Sequence, residues 1–135
     1  MKWIKTFETK YTETDKFKLW FDGSKVINAD GTPRVVYHGT DKDFKRFSSK
    51  FSAMGGIIWF TTDKSAVERG EVGAAGSDYI KELYISMKNP AGWEEYEKYT
   101  LGQLENLGYD GAILPDSEDK YDGFVFNVNQ IRIAR

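Results

Sequence analysis

The chain has 135 residues, 40% hydrophobic and 16% aromatic, which is the length of one domain with enough apolar bulk for its own core, and argues against disorder and against two domains. Nineteen Lys and Arg stand against 21 Asp and Glu, a net charge of −2, so no broad basic face exists to neutralise phosphates and sequence-independent nucleic-acid binding is disfavoured. The absence of cysteine excludes disulfides, thiolate nucleophiles, Cys-bound zinc and iron–sulfur clusters.

The chain opens Met1-Lys2-Trp3-Ile4-Lys5-Thr6, with charges where the apolar stretch of a signal peptide would stand, and no window approaches the ~18 apolar residues of a membrane span. A cytoplasmic protein without membrane contact is expected. Residues 1–23 carry scattered aromatics (Trp3, Phe7, Tyr11, Phe17, Trp20, Phe21) without a clean period and read as an N-terminal extension to a domain over 24–135. Val26-Ile27, the turn chemistry Asn28-Ala29-Asp30-Gly31, then Pro33 leading into Val35-Val36-Tyr37-His38 predict a strand or hairpin with His38 at its end. Phe44 and Phe47 suit one face of a short turn. Ile57-Ile58-Trp59-Phe60-Thr61 is a β-branched and aromatic run and predicts a strand; Thr62 or Asp63 can then cap a short helix through Ser65-Ala66-Val67-Glu68.

Residues 70–76 read as a flexible connection. Leu83, Ile85 and Met87 alternate with polar neighbours, the period of a half-buried strand, which Asn89-Pro90 ends. Residues 93–99, dense in Glu and Tyr, read as surface or rim. Thr100 and Gln103 have capping-box spacing, Leu101, Leu104 and Leu107 form a helical stripe, and Gly108 stands where a left-handed closing residue belongs. Ala112-Ile113-Leu114 and Phe124-Val125-Phe126 are two further strands around an acidic loop at 115–122. The sum is about five or six short strands and two or three small helices, too close together for repeated βαβ crossovers. An α+β fold with mostly antiparallel sheets fits.

For chemistry the chain offers oxygens and one imidazole. His38 sits where a strand meets a loop, the usual place for catalytic groups, and Gly39 beside it lets the backbone approach a planar ligand without a Cβ in the way. One histidine without cysteine makes a poor zinc site, and no metal is expected. The spacing GxxGxxG within 70–76 lacks the strand-then-helix frame of a dinucleotide fold. Asp116, Glu118, Asp119 and Asp122 could form an acid/base or metal cluster or a solvated loop; Asp122, next to a strand, has the firmest backbone.

Taken together, Ser24-Lys25-Val26-Ile27, Asp30-Gly31-Thr32-Pro33-Arg34-Val35-Val36-Tyr37-His38-Gly39-Thr40, Phe44 and Phe47, the block Gly56-Ile57-Ile58-Trp59-Phe60-Thr61-Thr62-Asp63 with Ala66, Gly108-Tyr109-Asp110-Gly111-Ala112-Ile113, and Phe124-Val125-Phe126-Asn127-Val128-Asn129-Gln130-Ile131 resemble the ADP-ribosyltransferase-like domains of phage and mobile-element polyvalent proteins, over residues 24–131. That family belongs to the His-Tyr-Glu class, with diphtheria toxin and the poly(ADP-ribose) polymerases. The resemblance implies split antiparallel β-sheets around an NAD cleft, with short helices. It implies that His38 binds a ribose hydroxyl, that the Gly39 backbone holds the nicotinamide carboxamide, that Thr40 adjoins it, and that Trp59 stands in place of the class tyrosine as an aromatic wall without a hydroxyl. Phe60 and Thr61 complete the implied NAD-binding set.

The class glutamate, just before the last strand, falls on Asp122, with Glu118 and Asp119 as loop alternatives. A carboxylate there stabilises positive charge developing on the ribose. Aspartate is one methylene shorter, and a misplacement of that order costs on the order of 100-fold. The implied function is a mono-ADP-ribosyltransferase, a glycosyltransferase with Asp122 and His38 as catalytic residues and NAD as co-substrate. Its implied acceptor is a host protein or nucleic acid, in the host cytoplasm for a phage-encoded effector. The alternative is a weak or inactive NAD-binding module that acts through a protein partner, a reading the Trp59 and Asp122 departures keep open.

Overall fold

The computed structural model describes residues 12–40, 57–69, 79–117 and 119–134. The expected turn at Phe44 and Phe47, the connection at 70–76 and the candidate Glu118 lie outside them. Helix α1 (Asp15–Phe21) is capped by Thr14, whose side chain accepts the Phe17 N–H at 3.2 Å. Phe17 packs edge-on against Tyr84 with ring centroids 5.2 Å apart, Trp20 Nε1–H donates to the Asn129 carbonyl at 2.7 Å, and Ser86 Oγ donates to the Trp20 carbonyl at 2.6 Å. This part of the N-terminal segment is therefore tied to the body by both apolar burial and hydrogen bonds.

Strand β1 (Val36–Thr40) is followed by β2 (Ile58–Thr61), then by helix α2 (Lys64–Glu68), capped by Asp63, which accepts the Ser65 N–H at 3.0 Å. Strand β3 (Tyr79–Ile85) carries the expected alternation, with Leu83 and Ile85 buried. Asn89-Pro90 does not simply end that strand. Pro90 opens a two-residue strand, β4 (Pro90–Ala91), at the edge of the sheet, where the missing proline N–H costs no ladder bond.

The 93–99 segment folds as a helix, α3 (Trp93–Lys98), whose first turn is closed by Glu95 Oε1 accepting the Gly92 N–H at 2.7 Å. Helix α4 (Leu101–Asn106) has the expected box: Thr100 Oγ1 accepts from Gln103 N at 3.2 Å, and Gln103 Oε1 accepts from Thr100 N at 2.9 Å. Gly108 follows at φ +97°, a backbone conformation that favours glycine. The chain ends with β5 (Gly111–Pro115), β6 (Tyr121–Val125), a 3₁₀ turn (Val128–Gln130) and β7 (Ile131–Ile133).

The strands form one curled seven-stranded sheet in the order β4-β5-β6-β2-β1-β3-β7, an α+β arrangement. All pairs are antiparallel except β4 with β5, and that parallel pair is bridged by α3 and α4, the dozen or more residues a crossover requires. Strand alternation sorts side chains between two cores. Val36, Ile58, Phe60, Leu83, Ile85 and Val125 fill one; Ile57, Leu104, Ala112, Leu114 and Phe124 fill the other, with Trp59 and Tyr96 at its margin.

Candidate functional site

The two seams beside β2 differ. Between β2 and β6 the register is continuous: Ile58↔Val125, Trp59↔Phe124, Phe60↔Gly123 and Thr61↔Asp122. Between β1 and β2 one register pair is present, Tyr37↔Thr61, whereas β1 pairs with β3 along its whole length. The sheet thus opens toward the C-terminal end of β1, and the opening falls on His38, Gly39 and Thr40 on one side and Trp59 on the other.

His38 bridges this opening. Its Nδ1 lies 2.7 Å from the Trp59 carbonyl oxygen, where a continued ladder would put a backbone N–H. A carbonyl can only accept, so Nδ1 carries the proton, and in the neutral ring Nε2 then carries the lone pair. Burial pushes the ring pKa below its ordinary 6.5, and the bond to Trp59 opposes this only in part. At neutral pH His38 is therefore an uncharged imidazole of fixed tautomer.

Gly39 and Thr40, also expected in the site, are buried at the end of β1. The Trp59 ring is half-buried at the margin of the second core, edge-on to Phe124 at 5.0 Å and 64° and to Tyr96 at 6.3 Å and 89°. Phe60 and Thr61 are each 1% exposed; the Phe60 ring packs on Gly123 in the first core, and Thr61 Oγ1 accepts the Asp63 N–H at 3.1 Å. Their side chains serve the interior, because β2 has sheet on both sides.

Asp122 lies inside β6 as its second residue, not just ahead of it, with Thr61 and Leu114 as its register partners. Its row runs through Thr61 to Tyr37, the residue before His38. Asp122 lines a polar cavity of about 50 Å³ with Asp63, Arg69, Asp116 and Lys120. Arg69 Nη2 and Lys120 Nζ each stand 3.8 Å from Asp63 Oδ2. Asp63 and Arg69 are the two caps of α2, whereas nothing in the sequence links Lys120 to them, since its approach depends on the β2–β6 register. Tyr96 beside Trp59 was equally hidden, although its i,i+3 spacing from Trp93 hints at a shared helix face.

Arg34 and Tyr121 pack behind Asp122. The Arg34 guanidinium lies 5.2 Å from the Tyr121 ring centroid and donates to the Asp119 carbonyl at 2.8 Å. No hydrogen bond of good geometry reaches the buried Tyr121 hydroxyl; burial raises its pKa above the ordinary 10.0, and the nearby Arg34 guanidinium opposes this in part. A wider groove, about 570 Å³, runs between α1 and the 28–31 turn over Phe17, Phe21, Ile27 and Pro33. It is remote from the only histidine, so chemistry rather than size selects the β1–β2 opening. Among the described residues no three His, Asp or Glu converge to hold a metal ion.

The family model described as ADP-ribosyltransferase in polyvalent proteins matches residues 28–105. No curated protein matches the chain. The matched span contains His38, the split between β1 and β2 and the whole of α2, and stops before β5, so the strand bearing Asp122 is joined to it by the sheet register. With more than half of its length matched and an α+β sheet opened beside its one histidine, the chain belongs to the ADP-ribosyltransferases of polyvalent proteins, a family that uses NAD as co-substrate.

Proposed function

We propose that this chain is a mono-ADP-ribosyltransferase that binds NAD at the β1–β2 opening and passes ADP-ribose to a host macromolecule, with His38 and Asp122 as its catalytic residues. The observation that carries this reading is the Nδ1 bond of His38 to the Trp59 carbonyl in a seam with a single register pair. The groups present fit a dinucleotide. A neutral imidazole whose Nε2 can accept suits a ribose hydroxyl, a glycine backbone suits a carboxamide, and a carboxylate on a neighbouring row of the sheet suits the far ribose.

When bound, NAD supplies an activated ribose carbon with nicotinamide as leaving group. His38 orients a hydroxyl; because Trp59 fixes the tautomer, no proton has to move before it can do so. Gly39 has no Cβ to keep a planar amide from its backbone. Asp122 places negative charge opposite the sugar in a half-buried strand position, where screening is weaker than in water. Thr40 and Trp59 border the opening. In this reading residues 24–135 form the transferase domain, residues 1–23 its extension, and the protein acts in the host cytoplasm.

A second reading, an NAD-binding module that acts through a protein partner without turnover, is favoured by two observations. The Trp59 ring is packed on Phe124 and Tyr96, and the carboxylate is an aspartate. The test is nicotinamide release from NAD by wild type, His38→Ala and Asp122→Ala, alone and with cell extract, each variant checked for folding. Release that both variants lose supports the transferase. A thermal shift with NAD but no release selects the binding module, and neither signal defeats both readings.

A further inference from the structure

Two acidic segments far apart in the chain meet beside Asp122. Trp93 Nε1–H donates to the Pro115 carbonyl at 2.7 Å, 22 positions away, which fastens α3 to the last residue of β5, just ahead of the turn into β6. The Trp93 ring is 46% exposed. It stands edge-on to Tyr96 at 5.9 Å and 73°, and Tyr96 stands edge-on to Trp59. One edge of the indole is thus fixed and the rest faces solvent, so a ligand placed on it immobilises little that is not already still.

Glu94 and Glu97 are exposed on α3, and Asp116 and Asp119 on the turn. Of the neighbouring cations, Lys98 Nζ lies 5.3 Å from the Tyr99 ring centroid, Arg69 and Lys120 both face Asp63, and Arg34 stands at the Asp119 end of the turn, leaving Glu94, Glu97 and Asp116 to set the sign of the face around Trp93. The patch is therefore negative as well as aromatic. It also lies on the Asp122 side of the sheet. Leu114, the register partner of Asp122, belongs to the core that α3 covers through Tyr96, so α3 and Asp122 share one face.

We infer that this face, formed by Trp93, Glu94, Glu97 and Asp116, receives the ADP-ribose acceptor, and that the acceptor is an arginine in a basic protein segment. The inference rests on the transferase reading above. A guanidinium is planar and cationic, so it stacks on indole and pairs with carboxylates in a fork that a lysine ammonium cannot match. The same carboxylates repel acidic side chains and the phosphates of nucleic acid. In the step, a guanidinium nitrogen bonds to the ribose C1′ while the C1′–N bond to nicotinamide breaks. The electron pair of that bond leaves on nicotinamide, and one guanidinium proton passes to water.

The test uses a fluorescent Arg–Gly repeat peptide, with Lys–Gly and Glu–Gly peptides and single-stranded RNA as comparisons. Binding is read by anisotropy, and transfer from labelled NAD is read per nicotinamide released. Trp93→Ala is expected to weaken Arg–Gly binding about tenfold and the exposed pair Glu94→Gln with Glu97→Gln about threefold, while Trp93→Phe, which keeps a ring, stays within about threefold of wild type. Transfer per nicotinamide should fall in the same order. Equal binding by all variants overturns the inference, as does a preference for Glu–Gly peptide, Lys–Gly peptide or RNA. If the binding order holds but wild type releases no nicotinamide, the transferase reading fails and with it the acceptor role of this face.

Discussion

The two edges of β2 face opposite demands. On the β6 side the seam is closed, and glycine closes it: a Cβ at Gly123 would sit 2.5 Å from both the Ala112 carbonyl oxygen and the Phe60 ring, so only the smallest residue lets β2, β6 and β5 lie side by side. On the β1 side the ladder stops after one pair and a side chain, His38, spans the rest. The closed seam supplies rigidity, and the open one leaves its bridging to the imidazole of His38. Asp122 belongs to the closed seam, in the row of the one pair that joins β1 to β2, which gives the carboxylate a fixed backbone.

The sharpest way to break this contrast acts on function. Asp122→Asn should lower nicotinamide release about 100- to 1,000-fold with the fold intact, measured by steady-state kinetics; Asp122→Glu, which restores the class methylene, should raise it about tenfold or more. Next in size, Gly123→Ala should cost about 3 kcal/mol of stability by overpacking the closed seam, read from the urea midpoint, whereas a substitution at the open seam should cost less.

A smaller effect is set by pH. The folded His38 has a pKa below the 6.5 of the unfolded chain, so between those two values the unfolded state binds more protons. The contribution of His38 to stability is complete above 6.5 and is lost as pH falls toward the folded value. His38→Gln should flatten that acid limb in thermal melts taken across the range. Smallest, Tyr121→Phe removes a buried hydroxyl that no hydrogen bond of good geometry reaches and should gain about 1 kcal/mol, seen as a higher melting temperature.

What could be read from the sequence was whatever local chemistry decides. Thr100, Gln103 and Gly108 announce α4 because caps act over three or four residues, and Leu83 and Ile85 announce β3 because its two faces differ in polarity. Helix α3 was not legible: its inward contact rests chiefly on Tyr96, so no apolar stripe marks it, and its first turn is closed by Glu95 reaching back to Gly92. Nor was β4, since Asn89-Pro90 is turn chemistry wherever an edge strand is not waiting for it. At the site, His38 and Gly39 stood out, but as the end of a strand; β1 runs on through Thr40 and His38 is its middle residue, because pairing with β3 carries the ladder past the glycine. The bond of His38 to Trp59, the placing of Asp122 within β6 and the joining of Trp93 to Pro115 depend on register between distant strands, which local pattern does not encode.

The central claim is that His38 holds the opening as a neutral imidazole with its proton on Nδ1 and presents Nε2 to NAD. Since the chain has one histidine, proton–nitrogen correlation spectra of the ring report on that residue alone. The account predicts a protonated Nδ1 and an Nε2 without a proton at pH 7, a titration midpoint below 6.5, and an Nε2 resonance that moves on adding NAD. A proton on Nε2, or a midpoint at or above 6.5 with no response to NAD, would contradict it.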